Sequence, residues 1–275
     1  GYHHVILPLA SEVDKRTEIA WGIADFEQRF GRSPEGLWLP ETAVDTPTLE
    51  AMAHAGLRYV ILAPEQAESI RERGASTWTE VSVDTIDTSR PYEIMLDSGR
   101  PMAAFFYRAE PAQGVAFGGW LHNGEKMASR LGGAPHGLYH FATDGESYGH
   151  HHPLGDMGLA YCMKTLLSDE SVHLTNYGQY LSSTPTNWEA KVVEKSAWSC
   201  AHGVGRWSSN CGCAIDPKVS RQQAWRPILR QALNDLRDGV DAFYVREMAA
   251  LGHHPWTTRD NYIYDRLSNE FGPSL

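Results

Sequence analysis

The sequence has few cysteines, no long apolar run and no targeting segment at its start. Four Cys in 275 residues are too sparse for the disulfide framework of a small secreted domain. No apolar run approaches the ~20 residues that span a bilayer. The chain also does not open on a basic region followed by a long apolar stretch, as a secretory signal would. We therefore expect a cytoplasmic protein with no membrane partner.

Positive charge is also scarce, since 24 Lys and Arg stand against 34 Asp and Glu, a formal net charge of −10. This balance argues against a nucleic-acid partner and against binding to an anionic membrane surface. It suits a protein that handles a neutral or cationic small molecule. Aromatic residues make up 11% of the chain and include nine Trp. These side chains stack on sugar rings, but they are also ordinary core material.

Apolar runs alternate with helical patterns along much of the chain. Runs typical of buried strands cover residues 36–40, 59–63, 102–107 and 138–142. Helical periodicity or helix-end signals mark residues 14–30, 47–56, 64–73 and 220–251. A polar insert at 78–100 is predicted to hold a β-excursion with a loop. Strands that alternate with helices predict an α/β fold with parallel strands, whose chemistry lies past the C-terminal strand ends.

The first candidate site residue is Glu41, which follows a predicted strand in the segment Gly-Leu-Trp-Leu-Pro-Glu. A carboxylate at this position would point into the mouth of the sheet, and Trp38 belongs to the same strand. A helix-capping or loop acid would fit this segment as well.

The second candidate is Asp144, which follows the predicted strand 138–142 and precedes Glu146 and three consecutive histidines, 150–152. So dense a polar group is a poor solvated surface and indicates a functional site. Two carboxylates on separate strands suit glycosyl transfer by double displacement, which requires the carboxyl groups to lie about 5–5.5 Å apart. The histidines would bind sugar hydroxyls or tune the acid.

Both segments resemble glycoside hydrolase family 57. Residues 36–41 are similar to the family segment that bears the catalytic nucleophile, usually with a Trp-Leu-x-Glu ending. The pattern Asp-x-Glu-x-x-Gly-His at 144–150 looks like the later segment whose first Asp is the general acid/base. The resemblance thus implies that Glu41 is the nucleophile and Asp144 the acid/base. The opening Tyr-His-His-Val-Ile-Leu-Pro-Leu-Ala is similar to a segment in which a histidine lines the sugar site, and His4 matches it.

The resemblance spans roughly residues 1–215, and a bacterial subgroup with the segments Trp-Ser-Cys-Ala-His-Gly-Val and Cys-Gly-Cys is the nearest match. It implies an incomplete seven-stranded (β/α) barrel over 1–215, with a C-terminal helical segment packed on it over 216–275. Family members hydrolyse, transfer or branch α-glucans without a cofactor, so an α-glucan or oligosaccharide is the expected substrate. The residues expected to bind it are His4, Trp38, Glu146, His150, His151, Trp120 and Trp207.

The chain departs from the family pattern at its start. It begins at Gly1 without an initiator Met, runs at once into the strand-like residues 5–7, and is not matched to the first segment of the family pattern. We therefore expect the first barrel strand or strands to be absent. An oligomer, a partner or the missing N-terminal segment would then complete the barrel, unless it stays open.

A cluster of soft ligands lies further along the chain, at Cys200, His202, Cys211 and Cys213. Four such ligands suffice for a tetrahedral zinc, which would be structural because the family needs no metal for catalysis. The spacing is not that of a standard zinc finger. A turn-rich loop with buried thiols and a sugar-site histidine would fit it as well.

Two other functions stay open from the sequence. A metal-dependent polysaccharide deacetylase would hold Zn²⁺ with Asp144, His150 and His151, but it gives Glu41 no role. A non-catalytic glucan-binding protein would use the carboxylates only to accept hydrogen bonds from sugar hydroxyls. Elemental analysis distinguishes the first alternative, and covalent trapping of a glycosyl group on Glu41 distinguishes the second.

Overall fold

The computed structural model describes residues 1–133, 137–214, 218 and 222–271. For Phe271 it describes the backbone only. The chain forms two compact units. The first unit comprises Gly1–Arg58, Leu96–Met102 and Val193–Leu275, and the second comprises Tyr59–Met95 and Ala103–Val192. In the described part of the chain, every helix is too short or too polar to cross a membrane.

The first unit is mainly helical. Its elements are α1 (Glu12–Phe30), β1 (Gly36–Leu37), α2 (Thr46–His54), α7 (Gly205–Ser208), α8 (Trp225–Ala250) and α9 (Pro255–Phe271). Single 3-10 turns cover Leu7–Leu9 and Pro40–Thr42. Residues 5–7, predicted to be strand-like, therefore lead into a 3-10 turn, and the predicted strand 36–40 shortens to two residues.

Helix α1 has the end signals that its sequence predicts. The Ser11 hydroxyl accepts a hydrogen bond from the Asp14 backbone N–H at the N-terminus. At the other end Gly31 adopts a left-handed conformation, with φ of 63°, and its N–H donates to the Glu27 carbonyl. The helix packs along α9, where Ala24, Ile263 and Leu267 form a small buried cluster.

A buried ion pair joins α1 to the start of α2. The Lys15 ammonium lies 3.5 Å from the Asp45 carboxylate, and both side chains are almost completely buried. Asp45 also caps α2, since its side chain accepts a hydrogen bond from the Thr48 N–H. A buried charge is tolerated only when it is paired and hydrogen-bonded, so this contact fixes the point where the chain enters α2.

The second unit holds most of the sheet. Its strands are β2 (Tyr59–Leu62), β3 (Ala67–Glu72), β4 (Thr79–Glu80), β5 (Tyr92–Met95), β6 (Pro101–Phe106, from Ala103 onward) and β7 (Trp188–Val192). Their order is β2-β6-β5-β7-β3-β4. Strands β2 and β6 pair in parallel from Tyr59↔Ala103 to Leu62↔Phe106, and β5 pairs in parallel with β7. Strand β3 is antiparallel to both β7 and β4.

The helices of the second unit are α3 (Ala109–Ala116), α4 (Gly124–Gly132), α5 (Gly155–Leu167) and α6 (Tyr177–Ser183). Short 3-10 turns cover Pro64–Gln66, Trp120–His122 and Gly145–Ser147. Helices α4 and α5 pack on each other around Leu121, Met127, Cys162 and Leu166, which are buried. Cys162 is thus a core residue.

The predicted fold class is confirmed: an α/β fold with seven strands of an incomplete (β/α) barrel, mostly parallel, followed by C-terminal helices. Two local predictions are wrong. Residues 64–73 were predicted as a helix, but they form a 3-10 turn and then β3. Residues 138–142 were predicted as a strand, but they are irregular, with isolated backbone bonds from Leu138 to Ser89 and from Arg108 to His140.

Candidate active site

Glu41 lies in the 3-10 turn Pro40–Thr42, directly after β1, with an unusual backbone. Its φ and ψ are 57° and 21°, and the next residue, Thr42, has φ of 49°. A residue with a Cβ loses about 1–2 kcal/mol in this left-handed region relative to the right-handed one. Two such residues in succession indicate that the surrounding structure holds the turn in a strained conformation, which is typical of functional sites.

The restraint comes from two sides. Within the turn, Leu39, Thr42 and Val44 are fully buried. From outside, residues 194–198 run along the turn: the Val44 N–H donates to the Ser196 carbonyl at 3.0 Å, and the Trp198 N–H donates to the Thr42 hydroxyl at 3.0 Å. These bonds over-determine the backbone around Glu41 and so stabilise its strained conformation.

The Glu41 carboxylate itself is held by an aromatic donor and a histidine. Trp198 Nε1 donates to Glu41 Oε2 at 3.1 Å, and His4 Nε2 lies 3.8 Å from Oε1. The Trp198 ring packs edge-to-face on Trp38, with centroids 5.1 Å apart. The Glu41 side chain is still 31% exposed. A carboxylate oriented by a donor and partly open to solvent is suited to attack on an electrophilic carbon.

His4 connects this carboxylate to a cleft in the first unit. The cleft has a volume of about 530 Å³, within the range of small-molecule sites. Besides His4 its walls include Trp21 and Trp207, together with Asp14 and Arg259. Two aromatic rings beside charged groups are a suitable lining for a sugar, whose faces are apolar and whose edges are hydroxyls.

Asp144 lies in a different setting, in the second unit. It is exposed and precedes the 3-10 turn Gly145–Ser147, with an ordinary extended backbone (φ −62°, ψ 141°). Because residues 138–142 are irregular, the prediction that Asp144 closes a buried strand is wrong. Burial raises the pKa of the nearby Tyr107 phenol, and the charges of Glu65 and Asp144 raise it further. Asp144 therefore acts electrostatically on a buried phenol that follows β6.

The histidines after Asp144 belong to a loop built around a backbone carbonyl. The N–H groups of His150 and His151 both donate to the Glu146 carbonyl, at 3.2 and 2.9 Å. Their rings lie 5.0 Å apart, and both side chains are exposed, as is Glu146. His152 instead turns inward, with Nε2 2.9 Å from the Ala116 carbonyl oxygen. The loop thus presents two imidazoles to solvent and is fixed by the third.

His140 anchors the irregular segment that leads to Asp144. It is buried, with Nδ1 3.0 Å from the Tyr177 hydroxyl and Nε2 3.1 Å from the Thr88 carbonyl oxygen. Desolvation by burial lowers the pKa of His140 to about 4, and the Arg108 charge acts in the same direction. The imidazole is therefore neutral at physiological pH.

The two predicted tryptophans lie in different surroundings. Trp207, in α7, is half-buried against Ala43, Ala197 and Val204 and also lines the cleft. Trp120 is half-buried in the second unit, with the Arg130 guanidinium 4.5 Å from its ring. It lies against Gly114 so closely that a Cβ at that glycine would meet the indole at 2.2 Å. Trp207 thus has an open edge, whereas the Trp120 ring is engaged in packing.

The structure brings the four ligands of the cysteine cluster together, and their ligand atoms all lie within 4.8 Å of one another. Among the described residues, the cysteine cluster is the group whose possible metal-ligand atoms converge. Asp144, His150 and His151 do not form such a group.

Sequence reasoning missed one residue beside each candidate carboxylate. Trp198 orients Glu41, and its signal was the Trp-Ser-Cys-Ala-His-Gly-Val segment, which drew attention only to its thiol and imidazole. Tyr107 is the last residue of the predicted run 102–107, at the strand end where chemistry is expected, and so could have been singled out.

A sequence profile described as Glycosyl hydrolase family 57 matches residues 1–192, more than half of the chain. The chain belongs to glycosyl hydrolase family 57. The resemblance drawn from the carboxylate segments is thereby confirmed. A second profile, described as Domain of unknown function (DUF3536), matches residues 222–270, which include nearly all of α8 and α9. No curated protein matches the chain.

Solved structures similar to this family 57 chain include three glucan-processing enzymes. An exo-type maltose-forming amylase from Pyrococcus sp. ST04 has a TM-score of 0.73 at 14% identity, covering 98% of this chain and 50% of that chain. A branching enzyme from Thermococcus kodakaraensis has a TM-score of 0.55 at 18% identity, and the match covers 74% of this chain and 50% of that chain. A 4-alpha-glucanotransferase from Thermococcus litoralis has a TM-score of 0.52 at 17% identity, and the match covers 70% of this chain and 27% of that chain. At these identities the likeness shows the fold alone, and the chain spans half or less of these structures' lengths.

Proposed function

We propose that this chain carries the catalytic residues of a retaining enzyme that hydrolyses or transfers α-glucans by double displacement. The observation that carries the proposal is the strained turn at Glu41, whose carboxylate is oriented by Trp198 and His4. A protein gains no stability from holding a glutamate in this conformation. Its retention there is accounted for by a chemical role.

In the first step, Glu41 would attack the anomeric carbon while the bond from that carbon to the glycosidic oxygen breaks. Asp144 would donate its proton to the departing oxygen, which leaves as a sugar hydroxyl. In the second step, Asp144 would take a proton from water or from an acceptor hydroxyl, whose oxygen displaces Glu41 from the anomeric carbon. Water gives hydrolysis and a second glucan gives transfer.

The remaining predicted residues would hold the sugar. His4 and Trp207 line the cleft beside Glu41, and Trp38 supports the ring of Trp198. In the Asp144 loop, the exposed side chains of Glu146, His150 and His151 are available to bind hydroxyl groups. Trp120 is the weakest member of the predicted set, because its ring is engaged with Gly114 and Arg130.

The metal-dependent deacetylase gains no support from the structure. That reaction needs Asp144, His150 and His151 to direct their ligand atoms at one point, and within the described residues they form no such group. A glucan-binding protein without catalysis stays as the alternative for the experiment to decide.

The test is covalent trapping with a fluorinated α-glucosyl fluoride, which forms a glycosyl-enzyme that hydrolyses slowly. We expect the mass of one sugar on the peptide that contains Glu41, and no label in Glu41→Gln. Asp144→Asn should still be labelled, because fluoride leaves without a proton, but it should lose about 10²–10⁴-fold in turnover of a natural glucan. Label on another residue, or an unlabelled wild-type chain that binds glucan, would overturn the proposal.

A further inference from the structure

The cluster of Cys200, His202, Cys211 and Cys213 has dimensions that suit a bound metal ion. Cys200 Sγ lies 3.5 Å from Cys213 Sγ, and His202 Nδ1 lies 3.3 Å from Cys213 Sγ and 3.7 Å from Cys200 Sγ. Zinc bonds of about 2.3 Å to sulfur and about 2.0 Å to nitrogen give tetrahedral edges of roughly 3.8 Å between sulfurs and 3.6 Å between sulfur and nitrogen. The three distances among Cys200, His202 and Cys213 are within a few tenths of an ångström of these values, and all four ligand atoms lie within 4.8 Å of one another.

The backbone around the cluster is shaped to bring the ligands together. Gly212, between Cys211 and Cys213, has φ of 76°, a left-handed conformation that lets two adjacent ligands turn toward one point. Gly203 has φ of 55° and approaches Lys195 so closely that a Cβ would meet its carbonyl oxygen at 2.1 Å. The Cys-Gly-Cys turn and the glycine after His202 are therefore requirements of this geometry.

A second layer of polar groups supports the ligands. Gln223 is only 3% exposed, and its side chain accepts from the Gly212 N–H and donates to the Cys213 carbonyl. The His202 N–H points at Cys200 Sγ at 3.4 Å. Groups that donate to ligand sulfurs and fix the ligand backbone are typical of the outer layer of metal sites.

The charge of the site is also matched. Three thiolates, a neutral imidazole and Zn²⁺ sum to one negative charge, and the Arg226 guanidinium lies 3.7 Å from Cys211 Sγ. Arg226 also binds the Gln223 amide oxygen at 2.6 Å, so it joins the cation to the same polar layer. A cation at this distance offsets the negative charge of a complex whose ligands are only partly buried.

From these observations we propose that the chain binds one structural Zn²⁺ through three thiolates and the His202 imidazole. Four protein ligands fill a tetrahedral shell and leave no position for substrate or water, so the ion acts on the fold and not on the reaction. The ion would hold the two ends of the segment 200–213 together. This segment comes directly after residues 194–198, which contact the Glu41 turn. In this last respect the inference rests on the proposed function.

The experiment is a metal analysis of the full chain, purified under reducing conditions from zinc-supplemented cells. We expect about one zinc ion per chain, measured by inductively coupled plasma mass spectrometry. Reconstitution with Co²⁺ in place of zinc should give the visible bands of a tetrahedral site and a sulfur-to-cobalt charge-transfer band. His202→Cys should keep the ion and strengthen that charge-transfer band, whereas Cys213→Ser should lose most of the metal.

The matched control is Cys162→Ala, which removes a buried thiol outside the cluster and should retain the full metal content. A wild-type chain with four free thiols and no zinc or cobalt bound would overturn the proposal. These readouts do not depend on catalysis, so an active enzyme without metal and a metal-binding chain without activity are distinguishable results.

Discussion

The two loops that carry the candidate catalytic carboxylates differ in almost every physical property. The Glu41 turn is strained, buried on both sides of the acid, and bound by residues 194–198, with its carboxylate oriented by Trp198. Asp144 is exposed, with a relaxed backbone, in an irregular segment anchored from a distance by His140.

The proposed double displacement would ask for such a difference between its two acids. A nucleophile has to keep one orientation toward a carbon atom, and an error of about 1 Å loses a large part of the rate. An acid/base has to give a proton to one oxygen and take it from another, so it needs access more than rigidity. Under the proposed roles, the nucleophile and the acid/base would therefore be held by opposite structural means.

The largest expected effect concerns the anchor of the Asp144 loop. The unfolded chain protonates His140 as the pH falls below about 6.5, whereas the folded protein takes up that proton only near the lowered pKa of about 4. The unfolded state thus binds more protons between these values, and stability falls with pH until about 4. From pH 7 to 5 this loss should be about 2 kcal/mol.

Chemical denaturation at the two pH values measures this slope. In His140→Gln the side chain no longer titrates, so the decrease should be about 2 kcal/mol smaller than in wild type, whatever the stability at pH 7. His150→Gln is the control, because that side chain is exposed in the same region. An equal slope in His140→Gln and wild type would show that the loop is not anchored by a neutral histidine.

The next effect concerns the donor to Glu41. Trp198→Phe keeps an aromatic ring beside Trp38 but removes the N–H that lies 3.1 Å from Glu41 Oε2. A hydrogen bond to a charged group contributes about 1.5–3 kcal/mol, and a carboxylate that is 31% exposed should lie at the lower end, so we expect kcat/KM on a maltooligosaccharide to fall about 10-fold. Trp225→Phe, at an exposed position of α8, should leave it unchanged. Equal rates in Trp198→Phe and wild type would contradict the orienting role.

The sequence predicts the regular parts of this fold and misses the irregular ones for identifiable reasons. Helix α1 combines 3.6-residue periodicity with Ser11 and Gly31 at its ends, and β2 and β6 are apolar runs, β6 buried on both faces and β2 fully buried on one, so local patterns suffice. Residues 138–142 have the same apolar pattern as a strand. Leu138 and His140 are buried and the other three residues are half-buried, with single hydrogen bonds and no ladder, and composition does not separate this case from a strand.

For the site, the sequence singles out Glu41 and Asp144, and their assignment stays a prediction for the trapping experiment to test. It did not predict the contact between Trp198 and Glu41, which are 157 positions apart. Such a pairing depends on tertiary structure, and a single sequence has no periodic signal for it. The left-handed backbone at Glu41 was equally unpredictable, because strain of this kind is imposed by neighbours against the local preference.

The smallest expected effect tests that strain directly, through matched Ala and Gly variants in both loops. Glu41→Ala and Glu41→Gly both remove the carboxylate, but only alanine keeps the Cβ that is unfavourable at φ of 57°. We expect Glu41→Gly to be more stable than Glu41→Ala by about 1 kcal/mol.

At Asp144, where φ is −62°, the order should reverse. Glycine there has no strain to relieve and adds freedom to the unfolded chain, so Asp144→Gly should be less stable than Asp144→Ala by about 0.5–1 kcal/mol. Urea unfolding of the four variants measures both differences. The same sign at both positions would mean that the Glu41 turn relaxes in solution, and the contrast between a strained and a relaxed carboxylate would then be lost.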